Sequence, residues 1–449
     1  MTRQLNSSAI CVGSTCLNES EIQTFKENPV TRFACNGQDC LNSSDIAVIK
    51  NLPNSVTSNQ HCIGPDCMIS NDLITLKNLP LSLKSSNLCA GQNCLNSTDV
   101  MILKQTIYPI CVDVFKNPLA QLYNNTANVV TFAGSGTNAA IDGVGKGASF
   151  GSLTLITISP TGTLFVSDSN SIRRVTQDGT VTRYAGNGTA GYADGPALSA
   201  MFNSPYGLAL APDGSIFVAE FGNHRVRRIS PTGIVSTFAG SGEPGFEDGN
   251  ATSAKFNGPS GMAISNSGIL YLADKNNQRI RAISPNGTVT TLAGNGTAGT
   301  TDGFGSQATM NHPWGLTVDS SGIVYSTDFH GNKIRRITPN GQVTTVAGSG
   351  TGSSIDGQGT LASFKNPTGI TVTPNVVLYV CDWSTNLLRK ITPTGMVSTI
   401  AGNSSSTSQE AVGTLAKFSS LTGVAAFGDK TLFVSDTGHR RLARLDSIC

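Results

Sequence analysis

The chain has 449 residues and a formal net charge of +2, and 38% of its residues are hydrophobic while 13% are charged. This length allows two or three domains with a buried core, and no apolar run reaches the ~18 residues that span a bilayer. The small net charge argues against a nucleic-acid or lipid binder that works through whole-molecule electrostatics.

The cysteines are distributed unevenly, since all but Cys381 and Cys449 lie at or before Cys111. We therefore expect a disulfide-rich module ahead of a cysteine-poor one. The segment from Met1 to Ser20 contains no apolar signal sequence. Two routes to disulfides remain open: a signal removed before this numbering starts, or thiol oxidation during the assembly of a virion.

A short repeat fills residues 1–112, which we expect to be a stalk or assembly module followed by a linker over residues 113–128. Its mark is a pair of cysteines separated by four residues: Cys11 and Cys16, Cys35 and Cys40, Cys62 and Cys67, Cys89 and Cys94. After each pair come a polar N-cap candidate such as Asn42 and apolar residues three apart such as Ile46 and Ile49. This pattern predicts a short helix in every repeat, and stacked repeats bury their apolar faces against one another.

The favoured pairing of these eight cysteines is one disulfide within each repeat, and disulfides between repeats are the alternative. Zinc sites are less favoured, because the gap is wider than in the usual zinc motifs and His61 is the only histidine of the short repeats. Residues 36–50 also resemble half of a dockerin repeat. The spaced Asp ligands of a calcium loop are missing there, so we expect no metal.

A long repeat occupies residues 129–449. An Ala-Gly pair recurs six times at an almost constant spacing, and ends at Gly134, Gly186, Gly240, Gly294, Gly348 and Gly402. An acidic residue closes a β-branched or aromatic run with the same spacing, at Asp168, Glu220, Asp274, Asp328, Asp382 and Asp436. One unit reads PSGMA from Pro259, ILYLAD from Ile269, NQRIRAI from Asn277 and GTVTTLAG from Gly287. Four short strands per unit and six units predict a mainly β protein, a six-bladed β-propeller.

These units resemble NHL repeats in the Pro-x-Gly entry to the first strand, the Tyr-Leu-Ala-Asp end of the second and the Asn-x-Arg-Ile that follows. The resemblance covers about residues 129–446 and implies a propeller used mainly as a binding platform, with enzymatic exceptions. Residues 129–133 read as a fourth strand without predecessors, and residues 440–445 as a third strand without a successor. We therefore expect the N-terminal strand to complete the last blade, which removes exposed strand edges.

Three cysteines lie outside the short repeats. Cys381 occupies a position that holds small residues in the other blades, so we expect a free, buried thiol. Four local pairs then leave Cys111 and Cys449, for which we predict a bridge that ties the repeat array to the propeller. Cross-links between molecules by one or both of them are the alternative.

Two slots in each blade should share one end of the propeller: the position after the first-strand Pro and the position after the strand-end acid. Both tryptophans of the chain fall in these slots together with Tyr206, Phe221 and Phe329, whereas the remaining slots hold Lys275 or hydroxyl residues. We expect a ligand-binding face, named here the aromatic rim, that consists of Tyr206, Phe221, His312, Trp314, Phe329, His330 and Trp383. The alternative is that these rings pack between the blades.

The remaining polar residues do not predict a catalytic or metal site. His224, His312, His330 and His439 do not recur at one blade position, and the strand-end acids recur in every blade, as a turn-capping role requires. The third strands are basic in several blades. We expect their arginines to form ladders on the outer blade surface and to meet the recurrent acids.

We therefore expect a non-enzymatic structural or adhesive protein, extracellular or exposed on a cell or virion surface, with self-assembly into a fibre or coat as one form of that role. The alternatives are a platform for a glycan or peptide on the aromatic rim and a lyase- or lactonase-like enzyme in the channel. The expected partners are copies of the chain or other surface proteins, and glycans. We expect no cofactor, no nucleic acid and no membrane insertion.

Overall fold

The structure, a computed structural model, describes residues 10–12, 15–17, 35–36, 39–40, 60–63, 66–69, 89–90, 93–94, 127–403 and 408–447. The chain divides into two compact units, Met1–Asp113 and Val114–Ile448. The predicted helices of the short repeats lie outside the described residues. So do Cys111, Cys449 and most of the predicted linker.

The described residues of the first unit form four antiparallel hairpins, one at each pair of cysteines. Their strands are β1 (Ile10–Val12), β2 (Thr15–Leu17), β3 (Cys35–Asn36), β4 (Asp39–Cys40), β5 (Gln60–Ile63), β6 (Asp66–Ile69), β7 (Cys89–Ala90) and β8 (Asn93–Cys94). In every hairpin the two cysteines are direct register partners, as with Cys11 and Cys16.

The second unit begins with β9 (Ala127–Ala133) and continues as six sheets. Blades 1 and 2 contain β10 (Gly143–Val144), β11 (Leu153–Ile158), β12 (Leu164–Asp168), β13 (Ser171–Val175) and β14 (Thr180–Ala185), then β15 (Gly195–Pro196), β16 (Pro205–Leu210), β17 (Ile216–Glu220), β18 (Arg225–Ile229) and β19 (Ile234–Ala239). Blades 3 and 4 contain β20 (Pro259–Ile264), β21 (Leu270–Asp274), β22 (Arg279–Ile283) and β23 (Val289–Ala293), then β24 (Gly303–Phe304), β25 (Pro313–Val318), β26 (Val324–Asp328), β27 (Lys333–Ile337) and β28 (Gln342–Ala347). Blades 5 and 6 contain β29 (Gly357–Gln358), β30 (Pro367–Val372), β31 (Leu378–Asp382), β32 (Leu387–Ile391) and β33 (Met396–Ala401), then β34 (Ala411–Val412), β35 (Leu421–Phe427), β36 (Thr431–Asp436) and β37 (Arg441–Ser447).

The helical elements of the second unit are short 3-10 turns, and its described residues contain no α-helix. The turns are Gly145–Gly147, Lys275–Asn277, Gly305–Gln307, Gly359–Leu361, Trp383–Thr385, Gly413–Leu415 and Thr437–His439. The prediction of a mainly β, six-bladed propeller is confirmed. Each second strand ends at the acidic residue that the sequence marks as its end, such as Glu220 in β17 and Asp274 in β21.

The innermost strands β11, β16, β20, β25, β30 and β35 pack side by side around the centre, and β35 contacts β11 to close the ring. The glycine of each Pro-x-Gly entry makes this approach possible. A Cβ on Gly261 would lie 2.2 Å from the carbonyl oxygen of Trp314 in the next blade. The same close approach recurs at Gly207, Gly315, Gly369 and Gly423. The glycine therefore brings the start of five inner strands against the next strand, including β35, where Leu421 replaces the proline; β11 has Leu155 in place of the glycine.

Blade 6 takes its fourth strand from the N-terminal end of the propeller. Strand β9 pairs antiparallel with β37, from Ala127 opposite Ser447 to Ala133 opposite Leu442. Five blades also carry one more strand than the four expected, an outermost strand of two residues. Blade 3 has a single bridge between Gly249 and Val289 at that place. Two residues are too short to produce an alternating hydrophobic pattern, which is why the sequence did not reveal this strand.

The apolar core lies between adjacent blades. One cluster joins Phe217 and Ala219 of blade 2 to Phe256, Leu270 and Leu272 of blade 3. Clusters of the same kind fill the other boundaries. Each blade is therefore held by apolar packing on both of its faces, which makes the ring a stiff support for the loops at its ends.

The prediction that the third-strand arginines form ladders on the outer surface is wrong for one arginine in each of blades 1 to 5. Arg173, Arg227, Arg281, Arg335 and Arg389 are fully buried. Each pairs with the strand-end acid of its blade, as Arg281 does with Asp274 at 2.6 Å, and with a second carboxylate, here Asp248 at 2.6 Å. Burial is tolerated because these pairs satisfy the charge and most of the donors of each guanidinium.

Candidate functional site

The aromatic rim lies where inner strands begin and second strands end. Tyr206 and Trp314 are the second residues of β16 and β25, whereas Phe221 and Phe329 follow the last residues of β17 and β26. Trp383 occupies the same place after β31. All of these side chains are partly accessible, and Trp383 is 37% exposed.

The rings contact one another in an unbroken series across blades 2 to 5. The ring centres of Tyr206 and Phe221 are 5.0 Å apart, and those of Tyr206 and Trp314 are 5.7 Å apart in a stacked arrangement. Phe329 lies 5.0 Å from Trp314 and 6.0 Å from Trp383. Offset and stacked arrangements at these distances are favourable for aromatic pairs. The five aromatic residues that the sequence singled out are therefore brought together.

A small residue in blade 3 lets blades 2 and 4 meet. Ser260 holds the slot between Tyr206 and Trp314, and its side chain is fully buried. Its hydroxyl donates to the carbonyl oxygens of Pro313 at 3.2 Å and Trp314 at 3.1 Å. Because Ser260 does not fill the space above its own strand, the rings from the two flanking blades stack on each other.

His312 and His330 extend the series in blade 4. Their ring centres are 4.5 Å apart, and His330 lies 4.8 Å from Phe329. Burial, the adjacent His330 imidazole and the positive charge of Lys275 lower the pKa of His312. Burial and Lys275 also lower the pKa of His330. Both imidazoles are therefore expected to be neutral at pH 7.

Lys275 lies inside the aromatic rim, although it is not among the residues singled out from the sequence. Its Nζ is 4.1 Å from the ring centre of Trp314, 5.3 Å from Phe221 and 5.9 Å from Phe329. Burial lowers the pKa of this ammonium to about 8, and the faces of the rings stabilise its charged form. A signal was available in the sequence, because Lys275 stands in the slot that holds Phe221 and Phe329 in the adjacent blades.

The other part of this end, on blades 1 and 6, carries hydroxyl residues. Thr422 Oγ1 lies 2.6 Å from Thr437 Oγ1 and donates to the carbonyl oxygen of Thr154 at 3.0 Å. Thr154 Oγ1 donates in turn to the carbonyl oxygen of Pro205 at 3.3 Å. These hydroxyls join neighbouring blades. By contrast, Lys275 Nζ, Tyr206 Oη, the His330 imidazole and the indole nitrogens make no hydrogen bond to any part of the chain that the structure describes.

Two further histidines act within the blades. His224 Nδ1 accepts a hydrogen bond from the backbone N–H of Gly258 in the next blade at 3.1 Å. His439 contacts the buried Asp436 at 2.9 Å. Both lie in the turn before a third strand, as expected. Within residues 127–403 and 408–447, no group of three or more His, Cys, Asp or Glu side chains is arranged to hold a metal ion.

The recurrent strand-end acids have a structural role. Asp274 accepts a hydrogen bond from the backbone N–H of Asn257 at 2.8 Å while it pairs with Arg281.

Cys381 is free and buried, as expected, and burial raises the pKa of its thiol. A thiol that stays protonated is a poor nucleophile. No helix in the described part of the chain is long and apolar enough to cross a membrane.

Residues 202–229 and 256–283 match the family model described as NHL repeat. Teneurin-4 of Homo sapiens is 26% identical over 336 residues, which cover 64% of this chain and 12% of that protein. The chloroplastic protein Suppressor of quenching 1 of Arabidopsis thaliana is 29% identical over 228 residues, which cover 47% of this chain and 22% of that protein. The chain thus spans less than a quarter of the length of these curated relatives.

Solved structures share the fold at low sequence identity. An auxiliary nutrient binding protein from Bacteroides thetaiotaomicron has a TM-score of 0.55 and 17% identity, and the match covers 71% of this chain and 76% of that chain. A second protein from the same species, of unknown function, has a TM-score of 0.54 and 20% identity, with 72% and 76% covered. Residues 202–229 and 256–283 are thus NHL repeats, and the described residues of the second unit form a six-bladed β-propeller.

Proposed function

We propose that the chain is a non-enzymatic adhesive protein of an extracellular or cell or virion surface, and that its propeller binds a ligand through the aromatic rim. The observation that carries this proposal is the unbroken series of partly exposed rings from Tyr206 to Trp383 around Lys275. Clustered, accessible aromatic residues on a rigid support are typical of binding surfaces. The ligand classes that we consider are glycans and other surface proteins.

The hairpins of the first unit support the oxidising location. Register partners on antiparallel strands have Cα atoms ~4.5–5.5 Å apart, which overlaps the range that a disulfide spans. The pairing of Cys11 with Cys16, and of the equivalent cysteines, therefore supports one disulfide within each repeat. Such disulfides persist in extracellular and surface proteins and are rare in the cytosol.

The proposal is tested by probing arrays of glycans and of peptides with the full chain. We expect selective binding that is lost when Trp314→Ala and Trp383→Ala are combined, because the stacked surface is then removed. Phe427→Ala is the matched control, since Phe427 is as exposed as Trp383, at 37%, but lies at the far end of β35. Unchanged binding by the double variant would show that the aromatic rim is not the binding surface.

Self-association is a second candidate function, and exposed apolar residues at the blade edges favour it. Val144, Phe304 and Val412 are the second residues of outermost strands and are 61%, 48% and 41% exposed. Leu361 and Leu415 end 3-10 turns nearby and are 78% and 68% exposed. Electron microscopy of the purified chain is expected to show fibres or sheets that Leu361→Asp and Leu415→Asp together disrupt. Monodisperse single particles at high concentration would contradict this candidate.

A further inference from the structure

We propose that the aromatic rim binds a carboxylate-bearing sugar of an acidic glycan, with Lys275 as the residue that pairs with the carboxylate. This inference rests on the proposed function and names the chemical class of its ligand. Three features of the described part of the chain support it. The Lys275 ammonium group has no counterion there, and several polar atoms next to the rings make no hydrogen bond. The backbone at the rim also offers few hydrogen bonds to a peptide.

The charge of Lys275 favours an anionic ligand. Lys275 Nζ makes no ion pair or hydrogen bond within the described residues, although rings surround it on several sides. The nearest acid along the chain, Asp274, is fully buried and neutralised by Arg281. Among the other titratable groups of the cluster, His312 and His330 are bases, and burial raises the pKa of the Tyr206 phenol, which keeps it uncharged. A half-buried cation that lacks a counterion is complementary to an anionic group of a ligand.

The rings and polar groups of the aromatic rim suit the remaining surface of a sugar. A pyranose presents C–H groups on its faces and hydroxyls at its edge, so it needs flat apolar surfaces flanked by hydrogen-bonding groups. Trp383 is 37% exposed and Phe329 is partly exposed, and Tyr206 Oη, the His330 imidazole and the Trp383 indole nitrogen have no hydrogen-bond partner in the part of the chain that the structure describes. These groups combine an apolar body with a polar tip, as sugar contact requires.

The backbone at the aromatic rim favours a sugar over an acidic peptide. Peptides that bind to sheets add a strand to a free edge and use main-chain hydrogen bonds. At this end of the propeller the inner strands pair with second strands and pack on each other. Backbone donors at the rim are also occupied: the N–H of Ser204 binds Asn170, and the N–H of His312 binds Gln278. A peptide main chain would therefore find few partners here.

The test is isothermal titration calorimetry of the full chain with three carboxylated probes: oligosaccharides that end in glucuronate, galacturonate or sialic acid. Each probe is compared with its carboxyl-reduced, neutral form, and a hexaglutamate peptide represents the other ligand class. The variant is Lys275→Met, which keeps an unbranched apolar side chain against the rings but removes the charge. Lys430→Met is the control, because Lys430 is exposed and lies in the turn between β35 and β36, away from the rim.

We expect at least one carboxylated probe to bind about ten- to hundredfold more tightly than its neutral form, as a charge-assisted contact implies. Lys275→Met should remove this preference, and Lys430→Met should retain it. Equal binding of the neutral form, no effect of Lys275→Met, or tighter binding of hexaglutamate would overturn the inference but leave the proposed function standing. Absence of binding by all three probes would also overturn the inference, whereas the proposed function fails only if the array binding survives loss of both tryptophans.

Discussion

The buried arginine of blade 4 offers a quantitative test of what holds the blades. The Arg335 guanidinium donates to Asp328 at 2.9 Å, to Asp302 at 2.8 Å, and to the carbonyl oxygens of Thr301 at 3.0 Å and Thr309 at 3.1 Å. Asp328 is fully buried. Arg335→Met keeps much of the apolar stem but leaves that carboxyl without its cation. Breaking a buried pair from one side costs about 3–5 kcal/mol, so we expect the free energy of unfolding to fall by about that amount.

The assay is urea unfolding at pH 7 followed by tryptophan fluorescence, which reports on this blade because Trp314 lies in β25. Arg336→Met is the matched control, since Arg336 is the next residue of β27 and is only partly buried. Its replacement should change the free energy of unfolding by about 0.5 kcal/mol or less. Adding Asp328→Asn to Arg335→Met should restore part of the loss, because the uncompensated buried charge is then removed. A loss in Arg335→Met within about 1 kcal/mol of the control would refute this account of the blade network.

Three further predictions concern the ring, the rim and the first unit. Gly261→Ala should lower stability by about 1–3 kcal/mol in urea unfolding, because its Cβ would meet the Trp314 carbonyl, whereas Gly147→Ala, with nothing within 4 Å, should not. Binding of a carboxylated sugar, measured by calorimetry, should weaken about tenfold from pH 7 to pH 9. With a pKa of about 8, Lys275 changes from ~90% to ~10% protonated over that interval, so a flat profile would contradict the assignment. Peptide mapping without reduction should recover Cys11 linked to Cys16, and recovery of linkages between repeats would contradict the pairing inferred from the hairpins.

The strand ends of the propeller could be predicted because each has a local signal. A run such as LYLAD that ends in Asp274 combines β-branched or aromatic residues with an acid, and it recurs at a fixed spacing. The Pro-x-Gly entry was equally visible. The structure adds the physical reason, which is that Gly261 lies against the backbone of the next inner strand. Periodicity and local pattern were therefore sufficient for the number and order of the long strands.

Features that depend on contacts between blades were not predictable from one repeat. Arginine side chains are usually exposed in proteins. Arg281 is buried because it pairs with Asp248 and Asp274, which come from two different segments of the chain. Lys275 lies over the Trp314 ring, and this ring stacks on Tyr206 because the small residue Ser260 stands between them. This arrangement requires residues from blades 2, 3 and 4. Lys275 is recognised as part of the aromatic rim only when equivalent positions in adjacent blades are compared.

The most direct test of the binding face uses the fluorescence of the two tryptophans, Trp314 and Trp383, which are the only ones in the chain and both lie in the aromatic rim. The full chain is titrated with the probe that binds most tightly on the arrays, while calorimetry measures occupancy in parallel. We expect a saturable change of tryptophan emission with the same dissociation constant that calorimetry gives. Full occupancy by calorimetry with unchanged emission would show that the ligand binds outside the aromatic rim.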